Sequence, residues 1–305
     1  MNETQAEATV EILSPRDVPL GGPRAMNVRR TLPQRSRSLI GAWCFADYYG
    51  PNETAVTGGM DVAPHPHIGL QTVSWLFKGE IEHRDSLGTH STIRPGELNL
   101  MTGGHGICHS EVSTASTDVL HGAQLWVALP DRYRDTGPDF HHYVPQAAAL
   151  DGGEVKVFLG SLAGDTSPVP TFSPLLGAEL RLDPGATVTL AVDPAFEHGL
   201  LVNSGDVSLA GTRLSPSHLG YLPVGRDTLT VTNHSDAPAV TLLLGGPPFG
   251  EEILMWWNFV GRTQEDIEKA REDWMNGSRF GEVIGYPGDP LPAPELPRVP
   301  MKPRA

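Results

Sequence analysis

The chain has only two cysteines among its 305 residues, Cys44 and Cys108. Two cysteines cannot build the disulfide framework of a small secreted protein, and their spacing is not that of a zinc ribbon. The first twenty residues lack the apolar core of a signal peptide, and no stretch reaches the ~18 apolar residues of a membrane span. These absences predict a cytoplasmic protein that does not bind a membrane.

Positive charge is also scarce. The 22 Lys and Arg residues are outnumbered by 36 Asp and Glu residues, which gives a formal net charge of -14. Direct binding to nucleic acid requires a basic face, so the composition argues against a nucleic-acid partner. The chain is longer than the ~100–150 residues of a typical domain, which favours two domains.

Turn-forming residues are abundant, with Gly 34 and Pro 28. From residue 26 to about 245 they separate short apolar or alternating runs, a pattern typical of an all-β barrel or sandwich. Two Gly-acid turns, Gly79-Glu80 and Gly205-Asp206, each join two such runs, which indicates an internal duplication. Thr263 is a good N-cap for one late helix, and a proline-rich tail follows it.

Two histidine-containing pairs are the candidate metal ligands. His65 and His67 lie two residues apart, so both imidazoles share one face of a strand. His109 and Glu111 form a second pair of the same kind, and a β-barrel can bring the two pairs together. Three imidazoles and one carboxylate leave positions open on a six-coordinate metal. Such mixed ligation suits Fe(II) and O2 chemistry, with zinc, copper, nickel or manganese as alternatives.

The same alternation, continued beyond His67, places Gln71, Trp75 and Phe77 on the inner face of the barrel. We therefore expect the Gln71 side chain to approach the metal pocket. The second half of the sequence has no HxH or HxE pair after residue 150, so the sequence predicts one divalent metal per chain, held in the first half.

Three blocks of sequence resemble the signature blocks of the pirin family. They are HPHIGLQTVSWLFKGEIEHRDSLG, IRPGELNLMTGGHGICHSE and GAQLWVALP, and the resemblance extends over about residues 26–285. It implies two tandem cupin (jelly-roll) β-barrels with a C-terminal helix packed back on the body of the protein. It also implies a single iron-type metal held by His65, His67, His109 and Glu111. We place the metal-binding barrel in residues 1–145, and a degenerate barrel with the helix and tail in residues 146–305.

The chain departs from the usual pirin pattern at two positions. Pirins usually have Arg after the HPH sequence and Glu where this chain has Gln71; the residue after HPH here is Ile68. The metal ligands survive both changes, but acid–base chemistry through Gln71 becomes doubtful, since an amide can only donate or accept a hydrogen bond.

The resemblance implies two alternative functions. The first is a flavonol dioxygenase, which opens the heterocycle of a small aromatic substrate such as quercetin with O2 and releases carbon monoxide. Glu111 would act as the base in this reaction, and Gln71 would hydrogen-bond to the substrate. The second is a non-catalytic, metal-dependent regulator that binds a protein partner, either a transcription factor or a metabolic enzyme.

Overall fold

The computed structural model describes residues 9–20 and 26–305, so the first eight of the twenty residues in which we sought a signal peptide lie outside the described residues. Contacts divide the chain into two compact units. We call Arg16–Pro145 with Phe249–Ala305 the first barrel, and Met1–Pro15 with Gln146–Pro248 the second barrel.

This division differs at both chain ends from the predicted boundaries of 1–145 and 146–305. The N-terminal strand Glu11–Leu13 pairs through its backbone with Leu219–Tyr221 and so belongs to the second barrel. The C-terminal segment belongs to the first barrel, where its apolar side chains pack against Ile68 and Cys108. Backbone pairing and apolar packing between distant segments override the order of the chain.

Two short helical elements and many strands precede the late helix. The helical elements are α1 (Thr54–Thr57) and a 3₁₀ turn (Asp131–Tyr133). The strands up to residue 143 are β1 (Glu11–Leu13), β2 (Arg16–Leu20), β3 (Met26–Leu32), β4 (Trp43–Glu53), β5 (Asp61–His67), β6 (Leu70–Lys78), β7 (Ile81–Asp85), β8 (His90–Ile93), β9 (Leu98–Thr102), β10 (Ile107–Ser113), β11 (Val119–Ala128) and β12 (Asp139–Tyr143).

The remaining strands are β13 (Ala147–Leu150), β14 (Gly153–Leu159), β15 (Ser161–Leu162), β16 (Asp165–Thr166), β17 (Leu176–Leu182), β18 (Thr187–Ala191), β19 (Glu197–Ser204), β20 (Val207–Leu209), β21 (Thr212–Leu214), β22 (Leu219–Leu222), β23 (Thr228–Asn233), β24 (Ala239–Gly246), β25 (Leu254–Trp256) and β26 (Phe259–Gly261). The late helix is α2 (Gln264–Met275).

The first barrel consists of two antiparallel sheets. A seven-stranded sheet has the order β12-β9-β6-β11-β4-β3-β2, and a four-stranded sheet has the order β5-β10-β7-β8. One apolar cluster draws side chains from both sheets: Met26, Val28, Tyr49, Met60, Val62, Leu76, Ile81, Ile93 and Leu120. Burial of this cluster holds the sheets face to face, which leaves one end of the barrel free for polar side chains.

The second barrel repeats this arrangement, with a seven-stranded sheet (β1-β22-β19-β24-β17-β14-β13) and a four-stranded sheet (β18-β23-β20-β21). The two Gly-acid turns correspond as well. Gly79 has φ +85 and Gly205 has φ +96, and a Cβ at either position would lie within 2.5 Å of a neighbouring atom. Both turns therefore require glycine. The all-β, two-barrel architecture predicted from the sequence is confirmed.

Helix α2 begins where the sequence indicated. The Thr263 hydroxyl accepts a hydrogen bond from the backbone N–H of Asp266, and the Asp266 carboxylate accepts one from the backbone N–H of Thr263. This reciprocal cap satisfies two backbone donors that the first helical turn leaves free. Ile267 and Ala270 on the buried face pack against Phe259 and the first barrel. The predicted return of the helix onto the body of the protein is thereby observed.

Both cysteines are free and buried. Burial raises the pKa of the Cys44 thiol to about 12 and that of Cys108 to about 11, so both are protonated at neutral pH. Among the described residues, no helix is long and apolar enough to cross a membrane.

Candidate metal centre

The two histidine-containing pairs meet on neighbouring strands. Strand β10 pairs antiparallel with β5, and His109 lies directly opposite His65 in this register. One ring nitrogen from each of His65, His67 and His109 lies within 4.8 Å of the others. Among residues 9–20 and 26–305, no other group of ligand-type side chains is this compact. The first barrel therefore contains a three-histidine site able to hold a divalent metal.

Each of the first two imidazoles is oriented through its Nδ1 atom. His65 Nδ1 lies 3.0 Å from the carbonyl oxygen of Ala63, and His67 Nδ1 lies 3.2 Å from that of Asn258. A carbonyl only accepts hydrogen bonds, so each Nδ1 carries the proton and each Nε2 keeps its lone pair. Metal-binding histidines in proteins are usually fixed in this way.

His109 is oriented by a second histidine. Its Nδ1 lies 3.3 Å from Nδ1 of His83, and Nε2 of His83 lies 3.1 Å from Oδ2 of Asp85. Burial raises the pKa of Asp85, but hydrogen bonds and charge from His83, with bonds from Thr89, outweigh this effect and leave the pKa below its usual value. The ionised carboxylate accepts the His83 proton, so His83 Nδ1 can accept from His109. This places the lone pair of His109 on Nε2.

The donor atoms of the site suit a cation. Nε2 of His67 and Nε2 of His109 are only 3.1 Å apart, and the hydrogen bonds above assign a lone pair to each. Two lone pairs that face one another repel unless a positive charge lies close to both. Imidazole nitrogens are common ligands of zinc, copper, iron and nickel, so the three residues fit a divalent metal without specifying which one.

Burial keeps these ligands in the form that binds metal. Burial lowers the pKa of His65 to about 4. Burial, followed by the charges of neighbouring histidines, lowers the pKa values of His67 and His109 well below the usual value. All three rings are therefore neutral at neutral pH, as a metal ligand must be.

Glu111 lies beside the three-histidine group but outside it. A bulge between His109 and Glu111 shifts the register, so Glu111 pairs with Val62. Its Oε1 atom lies 3.2 Å from the Ser74 hydroxyl, and that hydroxyl lies 2.9 Å from Oε1 of Gln124. The Ser74 hydroxyl is the donor in both contacts. Burial raises the pKa of Glu111, while the charge of His83 and the hydrogen bond from Ser74 act in the opposite direction. Ligation by Glu111 stays a prediction.

Gln71 does not lie where strand alternation placed it. The chain leaves β5 at His67, turns at Gly69 with φ +67, and enters β6 in the other sheet. The turn restarts the alternation, so Ser74 faces the metal site and Gln71 lies on the opposite face. Gln71 Nε2 donates to the Thr102 hydroxyl at 2.9 Å. The predicted approach of Gln71 to the pocket is therefore wrong.

A cavity of about 350 Å³ opens onto the histidines. Its walls include Glu111, Gln124 and three aromatic residues that the sequence analysis did not select: Phe45, Trp126 and Trp257. The Phe45 and Trp126 rings are stacked, with centroids 4.0 Å apart, and the Trp126 and His67 rings are nearly perpendicular, with centroids 5.4 Å apart. Trp75 and Phe77, which strand alternation placed on the inner face, do not line this cavity. The alternation of Gln124 and Trp126 along β11 is the one sequence signal that could have indicated this wall.

Arg30 closes another side of the cavity. Its guanidinium binds both carboxylate oxygens of the buried Asp47, at 2.6 and 2.7 Å, and lies 4.2 Å from the centroid of the Phe45 ring. This pairing holds the guanidinium flat against the aromatic wall. No spacing in the sequence linked Arg30 to the histidines, since β3 reaches them only through the sheet.

The sequence was compared with known families and proteins. The pirin family model matches residues 25–127, and the model of the pirin C-terminal cupin domain matches residues 177–281. A protein of Pseudomonas aeruginosa named "Putative quercetin 2,3-dioxygenase" is 45% identical over 95% of this chain and 92% of its own length.

Solved structures with the same fold were also found. A crystal structure of quercetin 2,3-dioxygenase from Acinetobacter baumannii is 40% identical, with a TM-score of 0.90 over 96% of this chain and 97% of that one. A bacterial pirin from Escherichia coli in complex with nickel(II) shares the fold at 18% identity, with a TM-score of 0.61 over 79% of this chain and 100% of that one.

We predict one divalent metal per chain, bound by the three histidines. His109→Ala should lose most of its metal, because it removes a ligand whose lone pair faces His67. The matched control is His198→Ala, which removes an equally buried histidine from the second barrel. Elemental analysis of dialysed protein, with circular dichroism to confirm folding, measures the outcome. Two metals per chain, or full retention in His109→Ala, would contradict the assignment.

We further predict that Asp85→Asn weakens metal binding about 10–100-fold, the usual effect of removing the partner of a ligand. The amide keeps Oδ1, which accepts from the backbone of Leu87 and Thr89, but loses the anionic acceptor of the His83 proton. Asp61→Asn, on strand β5 of the same sheet, is the control. Competition with a chelator gives the affinities; equal affinities for the two variants would exclude the proposed support of His109.

Acid should destabilise the metal-free protein through His65. Its pKa is about 4 in the fold and near 6.5 in the unfolded chain, so between these values the unfolded state binds more protons. The free energy of unfolding therefore falls as the pH falls, by about 2 kcal/mol for this group between pH 7 and pH 5. Denaturant unfolding at both pH values should show a smaller difference in His65→Asn than in the native protein. An unchanged difference would show that His65 is not held neutral.

Proposed function

Because the chain belongs to the pirin family, we propose that it is a mononuclear metal enzyme that opens the heterocycle of flavonols such as quercetin with O2. The observation that carries this proposal is the aromatic-walled cavity of about 350 Å³ beside three neutral histidines. Small-molecule sites typically occupy about 300–1,000 Å³ and combine apolar walls with a few polar groups. The names of the relatives from Pseudomonas aeruginosa and Acinetobacter baumannii support the same substrate class.

We propose Fe(II) as the metal, with His65, His67 and His109 as ligands and Glu111 as a fourth, exchangeable ligand. When bound, the metal supplies a Lewis acid for the flavonol hydroxyl and a redox partner for O2. The chain's contribution is to present three lone pairs at fixed positions. Hydrogen bonds to the carbonyls of Ala63 and Asn258 and to the ring of His83 keep these lone pairs directed towards one another in the absence of substrate.

Glu111 is our candidate for the base that takes the proton of the flavonol hydroxyl. Burial raises its pKa, which makes the carboxylate a stronger base. Its position outside the three-histidine group leaves the carboxylate available for this role. The hydroxyl of Ser74 and the amide of Gln124 hold it in place and can stabilise either protonation state.

The aromatic walls would orient the substrate. The stacked rings of Phe45 and Trp126 offer a flat apolar surface that ends at His67, and Trp257 lies at the same cavity. A planar flavonol inserted along this surface places its oxygen atoms towards the histidines. The same side chains exclude water from the reacting atoms, which strengthens the electrostatic interactions there.

The alternative is a non-catalytic regulator. An amide at Gln71, where pirins usually carry a carboxylate, would favour it if that amide lay in the cavity. Gln71 lies on the opposite face of β6 and bonds to Thr102, so that departure does not alter the groups in the cavity. Gln124, in contrast, lines the cavity.

The iron-loaded protein, incubated with quercetin under air, should consume O2 and release carbon monoxide. At equal iron occupancy, Glu111→Gln should lower turnover by about 10²–10⁴-fold, the usual contribution of a general base. Gln71→Glu is the contrasting variant and should bring no acceleration, because its carboxylate would lie away from the substrate. Absence of carbon monoxide from the native protein would refute the proposed reaction. Full activity in Glu111→Gln would place the base elsewhere.

A further inference from the structure

The tail that follows α2 returns to the mouth of the first barrel. Leu291, which lies in this tail, packs against the core cluster that contains Val62. It also lines the cavity in front of the histidines, together with Leu20 from β2. A residue without regular secondary structure thus supplies part of the wall around the metal centre.

The backbone of Leu291 is held on both sides. Its N–H donates to the carbonyl of Pro64 at 2.8 Å, directly before the ligand His65. Its carbonyl accepts from the indole N–H of Trp274 on α2, also at 2.8 Å. Earlier in the tail, the Tyr286 hydroxyl donates to Asp61 on β5 at 2.8 Å. These bonds fix the Leu291 side chain relative to the strand that carries His65 and His67.

A second cavity lies on the other side of Leu291. It has a volume of about 520 Å³, and its walls include Pro64, Trp274 and Tyr286. Leu291 lines both cavities, so this residue lies at the boundary between them. Truncation at this position would connect the space before the histidines to the space beneath the tail.

We propose that Leu291 determines substrate size in this protein, admitting compact flavonols and excluding those that carry a bulky substituent. The proposal rests on the proposed function for the identity of the ligand class. Leucine offers no hydrogen bond, so it selects by shape alone. It lies beyond residues 25–127 and 177–281 that the family models match, so this part of the wall comes from outside the matched regions.

The first test measures binding without turnover. Leu291→Ala is compared with Leu296→Ala, which shortens another half-buried leucine of the same tail that does not line the cavity. Quenching of tryptophan fluorescence in the absence of O2 reports dissociation constants for quercetin and quercetin 7-glucoside. One methylene in an apolar pocket changes selectivity by about 10–200-fold. Leu291→Ala should therefore improve binding of the glucoside relative to quercetin by about 10-fold or more. Leu296→Ala should leave the ratio unchanged.

A second test does not depend on flavonol binding. The rate at which 1,10-phenanthroline removes the metal should rise several-fold in Leu291→Ala, because the chelator reaches the histidines through the opened boundary. Leu291→Val, which retains most of the apolar contact, should show a smaller rise in this rate. It replaces Leu291→Ala in the test if that variant folds poorly. Leu296→Ala should resemble the native protein.

The outcomes separate the two proposals. Failure to release carbon monoxide refutes the reaction, but the binding ratio and the rate of metal removal still report on Leu291. Identical behaviour of Leu291→Ala and Leu296→Ala in the metal-removal test would overturn the role of Leu291. An unchanged binding ratio, where both flavonols bind, would overturn it as well.

Discussion

The antiparallel register between β5 and β10 is the constraint on which the rest of the site depends. It places His109 opposite His65, and the two-residue alternation of β5 then puts His67 on the same face. A shift of one residue would turn the imidazoles of one strand away from those of the other. The surrounding hydrogen bonds orient rings that this register has already brought together. The core between the two sheets maintains the register by burying apolar side chains from both.

The metal centre is completed by residues from distant parts of the chain. The segment after residue 249 returns to the first barrel, where it supplies the carbonyl of Asn258, the ring of Trp257 and the side chain of Leu291. The barrel provides the ligands, and the returning segment provides a support for His67 and part of the cavity wall. The metal ligands and the residues that control substrate access therefore belong to different segments of the chain. Changes in the tail can alter which molecules reach the metal without altering the donor atoms.

Local patterns located the ligands but not the surroundings of the site. The HxH and HxE pairs depend on alternation within one strand, and such patterns can be read directly from the sequence. The assignment of Gln71 failed because alternation was extended across Gly69, where the chain turns from one sheet into the other. Arg30, Phe45 and Trp126 lie on β3, β4 and β11, and Trp257 lies between β25 and β26. All four are far from the histidines in sequence. Their proximity comes from pairing between strands, which no local pattern records.

The sequence by itself determined the all-β class, the cap of α2, the two histidine-containing pairs and the resemblance to pirins, because each depends on neighbouring residues or on a long ordered match. Only the tertiary structure decided which chain segments belong to each barrel, which amide faces the cavity, and how His83 and Asp85 orient His109. It also decided that Leu291 stands before the metal centre. These features arise from backbone pairing and apolar packing between segments far apart in the chain, and packing of that kind leaves no signal in local sequence.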